Sequence, residues 1–487
     1  MRIRATRLVR GLVSAALYSA SGALLVLIVG FVAYMASRPD LDLWHLVDLD
    51  REFTAHSEAQ TLTDYLAMEE RLFAQLNEQV YNKIPPEQRR QLNRYNRGSL
   101  SDPARWSPNW NRSFVLAAEA PKAAVLLLHG MSDSPYSLRN LGQRLNAAGA
   151  LVLGLRLPGH GTAPSGLVEV TWQDMAAAVR LAVRHLADQA AGRPIYIVGY
   201  SNGAALAVHY ALESLEDGGL PKVDGLVLLS PAIGVASVAA FAVWQARLGH
   251  LLGLDKLAWN AIQPEYDPYK YSSFAVNAGD LVYRLTNRIQ KGLDRLSATG
   301  GLAHFPPLLA FSSVVDATVS TTALVDGLFE RLPEGDHELV LFDINRMVEI
   351  EPIMKSDPIG VIGALRKDLD PPYTLSLVSN ENAYSRRVVS RSKRPGDAEL
   401  IESDLALSWP EDVYSLAHVA LPFPPSDPLY GSRPAPKSPG IHLGDIALRG
   451  ERGVLLIPAS DMLRLRWNPF YPYVEARVLA FLGLTGR

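Results

Sequence analysis

The sequence predicts an α/β fold: a mainly parallel, doubly wound sheet with helices on both faces. Two observations lead there. Short apolar runs recur from Ala123 onward, reading AAVLLLHG, ALVLGLR, PIYIVGY, VDGLVLLS and PPLLAFSS. They lack the apolar/polar alternation of a half-exposed strand, so they read as strands buried on both faces. Helical stretches near Pro135 to Ala148, Trp172 to Asp188 and Asn202 to Leu215 lie between them, the alternation expected of parallel strands joined by crossover helices. Ligands of such sheets bind beyond the C-terminal ends of the strands. Chemistry is therefore expected directly after strands.

Taken in order, the chain opens on Arg2, Arg4, Arg7 and Arg10, then runs without a charge from Gly11 to Met35. At about 1.5 Å per residue this stretch exceeds a hydrocarbon core of roughly 30 Å. Residues 1–37 are expected to be a membrane anchor with its arginines held in the cytoplasm. The remainder would then be extracytoplasmic, periplasmic or extracellular. The alternative is a cleaved signal peptide, whose apolar region is usually about 7 to 15 residues long. Residues 38–110 read as a helical lead-in, packed on the main domain or standing as a stalk. Leu62, Leu66, Phe73, Leu76 and Val80 gather on one helix face, and Pro85-Pro86 ends it. Asn111-Arg112-Ser113 has the form of a glycosylation sequon. Residues 111–487 hold the main domain.

Composition limits the function. The chain of 487 residues is 48% hydrophobic, with a formal charge of -3 and no cysteine. That balance lacks the basic bias a nucleic-acid partner requires. Without thiols, catalysis needs an oxygen nucleophile or histidine. No HExxH or GxxxxGK[ST] motif is present, and neither a metal nor an organic cofactor is expected.

The run PIYIVGY turns straight into a helix through Gly199-Tyr200-Ser201-Asn202-Gly203. A G-x-S-x-G turn holds its serine in a strained conformation at the tip of a tight bend, and the glycines keep side chains away from neighbouring backbone. The start of the following helix presents unpaired N–H groups to a developing oxyanion. A serine hydroxyl also needs a base and an orienting carboxylate. Asp316 follows the strand PPLLAFSS, where the bland reading is a loop or capping acid. Three histidines come after it. His337 starts a strand at the wrong end of the sheet, and His442 lies in a glycine-rich segment. His418 follows what reads as a helical stretch and precedes a proline-rich loop, which favours it as the base, with His442 next. Met131, after the first core strand, and Asn202 would supply the two backbone N–H groups of an oxyanion hole. His129 and His160 read as turn- and loop-shaping residues.

These motifs resemble the α/β-hydrolase fold of the monoacylglycerol lipase and serine aminopeptidase branch: HGMSDSP at the oxyanion strand, RLPGHGTAPSG in the next loop, GYSNG at the elbow and SSVVDATV at the acid. The resemblance spans about Ala123 to His418. It implies a Ser201, Asp316, His418 triad and ester hydrolysis through an acyl-enzyme. The chain departs from the branch in the long interval between Asp316 and His418, and in Asn202, where methionine is frequent. Residues 233–304 occupy the slot of a cap insertion and carry Phe241, Trp244, Trp259, Tyr266, Tyr269 and Tyr271. These aromatics either receive an apolar acyl chain or pack the cap onto the core. A second insertion, about 345–412, holds an apparent hairpin around Asn380 to Asn382. FYPYVEARVLAFLGL closes the chain as a helix.

The expected partner is a small-molecule or lipid-like ester, such as an acylglycerol or lysophospholipid, with the membrane as the second partner through the N-terminal helix. Two alternatives stand. A serine aminopeptidase would need acidic groups for the substrate amine, and Glu265, Asp267 and Asp280 are candidates. A non-catalytic, membrane-tethered binding scaffold would need no triad at all.

Overall fold

Every residue of Ala123–Leu128 is buried, and its six side chains divide between two cores. Ala124, Leu126 and Leu128 enter one hydrophobic cluster, while Ala123, Val125 and Leu127 enter the other. Because successive side chains of a strand point to opposite faces, only an unbroken apolar run satisfies both. The computed structural model describes residues 2–85, 92–234, 254–348, 351–355, 362–363, 371–397, 399–435, 438–445 and 457–485.

The strands are β1 (Phe114–Leu116), β2 (Ala123–Leu128), β3 (Ala150–Leu155), β4 (Ile195–Tyr200), β5 (Gly225–Leu229), β6 (Trp259–Ala261), β7 (Phe274–Ala275), β8 (Leu308–Ser313), β9 (His337–Phe342), β10 (Thr374–Asn380), β11 (Arg387–Lys393) and β12 (Ile401–Ser408). Among the described residues, ten form one sheet in the order β1-β3-β2-β4-β5-β8-β9-β10-β11-β12, and β6 and β7 pair separately. From β3 through β10 all pairings are parallel. β1 at one edge and the β11–β12 hairpin at the other are antiparallel.

The principal helices are α1 (Arg2–Ser37), α2 (Leu62–Leu76), α3 (Arg139–Ala147), α4 (Trp172–Gln189), α5 (Asn202–Glu216), α6 (Val276–Thr299), α7 (Thr321–Gly327) and α8 (Tyr471–Phe481). Met175 and Val179 of α4, Leu206 of α5 and Leu285 and Ile289 of α6 fill the first core. Leu141 and Leu145 of α3, with Val474 and Val478 of α8, fill the second. The sheet is thus covered on both sides, as the apolar runs require.

Ala15–Ser37 within α1 is long and apolar enough to cross a membrane and has no buried residue in its apolar window, a pattern that a signal sequence also gives. Directly after it, the Arg38 guanidinium donates to the carbonyls of Lys256 (2.7 Å) and Trp259 (2.6 Å).

The lead-in packs on the main domain. On α2, Leu62, Tyr65, Glu69, Leu72, Phe73 and Leu76 are buried, whereas Leu66 is only partly so. Tyr65 donates its hydroxyl proton to the Arg156 carbonyl at 2.6 Å. Arg156, 1% exposed, donates from Nε to Glu69 (3.0 Å) and from both terminal nitrogens to Glu52 (2.9 and 2.8 Å). Burial pushes the Glu69 carboxyl upward in pKa, and Arg156 opposes that push. Removing one partner of such a buried group leaves an uncompensated charge. Arg156→Met is therefore expected to lower the unfolding free energy by about 3–5 kcal/mol, measured by denaturant titration. The Asn111 amide is also enclosed, donating to Asn109 Oδ1 and the Pro268 carbonyl. A buried asparagine with those bonds is no glycan acceptor, so the sequon reading fails.

The long interval before His418 is a closed excursion. After β9 the chain adds β10, β11 and β12 to the edge of the same sheet and returns to the end of β9. There the Asn345 N–H donates to the Tyr414 carbonyl (2.8 Å) and the Asn345 amide to the Val413 carbonyl (3.0 Å). Asn380 at the tip of β10 donates to Asn345 Oδ1 at 3.2 Å.

Candidate active site

β4 ends at Tyr200 and α5 begins at Asn202, which leaves Ser201 alone at the join with φ 54° and ψ -114°. Such a backbone is strained for any residue with a Cβ. It persists because the surroundings hold it. The Ser201 N–H donates to Leu229 O at 2.9 Å, and the Ala204 and Ala205 amides donate to Ser201 O. The glycines are steric necessities. A Cβ at Gly199 would lie 2.5 Å from Ala204 N, and one at Gly203 would lie 2.1 Å from Leu128 O.

Asp316 sits in the turn after β8, its Oδ1 accepting the N–H groups of Thr318 (2.8 Å) and Val319 (3.0 Å). Its Oδ2 lies 2.8 Å from His418 Nδ1, 102 residues further along the chain. Both side chains are almost wholly enclosed, at 0% and 5% exposure. Burial alone would raise the Asp316 pKa, but the His418 hydrogen bond and charge and the two amides hold it below the usual carboxylate value. His418 opens a single 3-10 turn, His418–Ala420. No helix precedes it. The expected helical stretch is instead turn and coil after β12, and the segment is held by the Asn345 bonds and by burial of Leu416, Ala420 and Leu421 in the second core. His442 Nδ1 faces the Pro428 carbonyl at 3.4 Å, outside the cavity lined by Ser201. His337 is buried at the start of β9, the far end of the sheet.

Among the described residues, neither the Met131 nor the Asn202 backbone N–H has an acceptor; Met131 lines the cavity with Ser201, and Asn202 follows Ser201 directly. The turn carrying Met131 is fixed by His129, whose Nδ1 lies 2.9 Å from Gly130 O while its Nε2 accepts the Leu157 N–H at 3.0 Å. Burial keeps His129 neutral by depressing its pKa, so Nδ1 carries the proton and donates. His160 is likewise enclosed, its pKa lowered by burial to about 4. Both histidines shape loops, as expected. The Asn202 side chain turns away from the cavity toward Met175 Sδ, 3.6 Å distant.

Ser201, Met131 and His418 line one cavity of about 500 Å³. Of the aromatics in residues 254–304, Tyr266, Tyr271 and Phe274 reach this cavity. Trp259 packs edge-on to His45 and Tyr269 stacks on Tyr136 at 4.1 Å. Phe241 and Trp244 lie outside the described residues. Glu265 is not in the cavity; its oxygens accept the Ser272 and Ser273 amides. Asp280 is ion-paired with Arg284. Asp267 lines the cavity with both oxygens engaged, by the Tyr269 and Lys270 amides and by the Tyr430 hydroxyl at 2.6 Å. Sequence reading missed Asp133, Lys270, Arg464 and Arg466, which also line it. The two arginines, two residues apart in LRLRW, were the available signal. Among the described residues no cluster of three or more His, Asp and Glu has the arrangement of a metal site.

The family model described as serine aminopeptidase, S33, matches residues 119–343, from before the first core strand to the end of the strand that follows Asp316. The chain has the α/β-hydrolase fold. The chain is 26% identical over 223 residues to the thermostable monoacylglycerol lipase of Bacillus sp. (strain H-257), covering 46% of the chain and 82% of the lipase. Among solved structures it is similar to the Paleococcus ferrophilus monoacylglycerol lipase, at 22% identity and a TM-score of 0.37, covering 47% of the chain and 88% of that protein. A soluble variant of the Saccharomyces cerevisiae monoglyceride lipase matches at 17% identity and a TM-score of 0.36, over 47% of the chain and 81% of that protein. The α/β-hydrolase placement accounts for the parallel sheet, the elbow at Ser201 and the position of Asp316 after β8.

Proposed function

We propose that the chain hydrolyses carboxylic esters of lipid-like or similarly small substrates, with Ser201 as nucleophile, His418 as base and Asp316 as its orienting carboxylate. The observation that carries this reading is the 2.8 Å bond between His418 Nδ1 and Asp316 Oδ2, made beside the strained Ser201 in one cavity. With Nδ1–H donating to Asp316, Nε2 is the nitrogen free to take a proton. As Ser201 Oγ attacks the ester carbonyl, its proton passes to Nε2 and the carbonyl electrons collect on oxygen, facing the Met131 and Asn202 amides. Collapse breaks the acyl–oxygen bond, and the leaving alkoxide takes the proton from His418. Water, deprotonated by His418, then attacks the acyl-enzyme and frees the acid.

The similarity to a monoacylglycerol lipase supports an ester substrate. A peptidase reading follows from the family description, but the acids suited to a substrate amine are engaged internally or lie outside the cavity. A burst of nitrophenol stoichiometric with protein on mixing with a nitrophenyl ester is the expected sign of the acyl-enzyme; a methanol-to-water product ratio that changes with the leaving group across esters of one acid rejects it. Asp316→Asn is expected to lower kcat by about 10³- to 10⁴-fold, because the amide no longer favours the Nδ1–H tautomer, measured as steady-state ester hydrolysis.

In this reading α1 anchors the protein with its arginine-bearing end in the cytoplasm and the hydrolase domain on the other side. Residues 1–37 form the anchor, 38–110 the lead-in and 111–487 the catalytic domain. Protease accessibility in spheroplasts tests the topology, with digestion of the hydrolase domain from outside as the expected result.

A further inference from the structure

Three cations line the proposed substrate cavity, Lys270 after β6 and Arg464 and Arg466 before α8. Among the described residues none of them is ion-paired. Lys270 Nζ has no acceptor. One terminal nitrogen of Arg464 donates to Thr318 Oγ1 at 3.0 Å, two residues beyond Asp316. Arg466 donates to the Tyr266 hydroxyl (3.3 Å) and the Asp461 carbonyl (3.2 Å). Burial depresses the Lys270 pKa; Asp133 and Asp267 oppose that shift, and both arginines add to it.

The carboxylates in the lining offset this charge only in part: Asp133 and Asp267 favour the charged form of Lys270, but among the described residues neither is ion-paired to it. Asp267 spends its oxygens on the Tyr269 amide and the Tyr430 hydroxyl and makes no direct bond to a lining cation. Burial raises the Asp133 carboxyl to about 7, with Lys270 pulling the other way, and its Oδ1 is taken by the Ser134 amide. Asp461 remains, on the same segment as both arginines. Three cations against Asp267, Asp461 and an Asp133 carboxyl raised to about 7 leave positive charge in excess at the cavity. Their convergence on the cavity that holds Ser201 suits a ligand that brings the missing negative charge, recognised by charge-assisted hydrogen bonds.

We propose that the substrate ester carries an anionic group, a phosphate or a carboxylate, seated against Lys270, Arg464 and Arg466 while its carbonyl reaches Ser201. This deepens the ester-hydrolase reading and rests on it. The test measures kcat/KM of the full chain in detergent for two matched pairs: a short monoacylglycerol against its phosphate ester, and ethyl butanoate against ethyl hydrogen succinate. A preference of about tenfold or more for the anionic member of either pair is expected, and the pair that shows it identifies the anion. That preference should fall toward unity in Lys270→Gln and in Arg464→Gln, the latter an exposed residue whose loss leaves the core untouched. Labelling of Ser201 by a neutral fluorophosphonate in each variant reports that the site is intact. Equal or reversed preference in a wild type that labels overturns the anionic substrate and leaves ester hydrolysis standing. So does a preference that survives both substitutions. A wild type that neither labels nor turns over any of the four esters removes both readings.

Discussion

Ser201→Ala is expected to reduce ester hydrolysis by a factor of about 10⁴ or more, with little change in stability. The rate loss follows from the proposed role, since no other nucleophile is placed in the elbow and the remaining groups offer only oxyanion stabilisation and binding. Stability should hold because the residue's structural work is done by its backbone, through the Leu229, Ala204 and Ala205 bonds. The variant keeps the Cβ that strains the turn, so φ 54° costs it as much as it costs serine. Ester turnover and thermal unfolding measured on the same preparation check both halves. A folded variant with retained turnover would remove Ser201 from the chemistry.

Gly203→Ala is expected to do comparable damage by a different route. The added Cβ would meet Leu128 O at 2.1 Å and His129 O at 2.5 Å, both backbone atoms of the oxyanion strand and its turn. Neither can swing aside as a flexible side chain would, so α5 must lift from β2 or the elbow must open. Overpacking of this kind costs typically about 1–3 kcal/mol, and occasionally more; backbone on both sides places Gly203 at the upper end. Displacing α5 also moves the Asn202 amide away from the Met131 amide. We expect a lower melting temperature together with a fall in kcat of at least about tenfold, measured by calorimetry and initial rates. Gly218→Ala, where an added Cβ meets nothing within 4 Å, is the control and should change neither.

The parts of the fold that were legible in the sequence share one physical cause. A strand buried on both faces cannot alternate, so AAVLLL, ALVLGL and IYIVGY declare themselves as β2, β3 and β4. The elbow was legible because two close backbone approaches demand Gly199 and Gly203 at fixed positions. Asp316 was legible because it directly follows a buried strand. His418 was singled out for a reason the structure replaces: no helix presents it, and the Asn345 bonds that close the excursion join residues far apart in sequence. Charged residues that meet only after folding were invisible. Glu69 occupies a core-facing position between Tyr65 and Leu72 on α2, and that misplaced charge was the one hint of its bond to Arg156. No local pattern joins Lys270 to Arg464 and Arg466, since their common cavity is assembled from two distant segments.

The most direct measurement is covalent labelling of the full chain by a fluorophosphonate, with the modified peptide identified by mass spectrometry, for the wild type beside His418→Ala and His442→Ala. The account predicts a single adduct on Ser201, slowed at least about 10³-fold in His418→Ala and unchanged in His442→Ala. Labelling at full rate without His418, or a folded wild type that takes no label at Ser201, would contradict it.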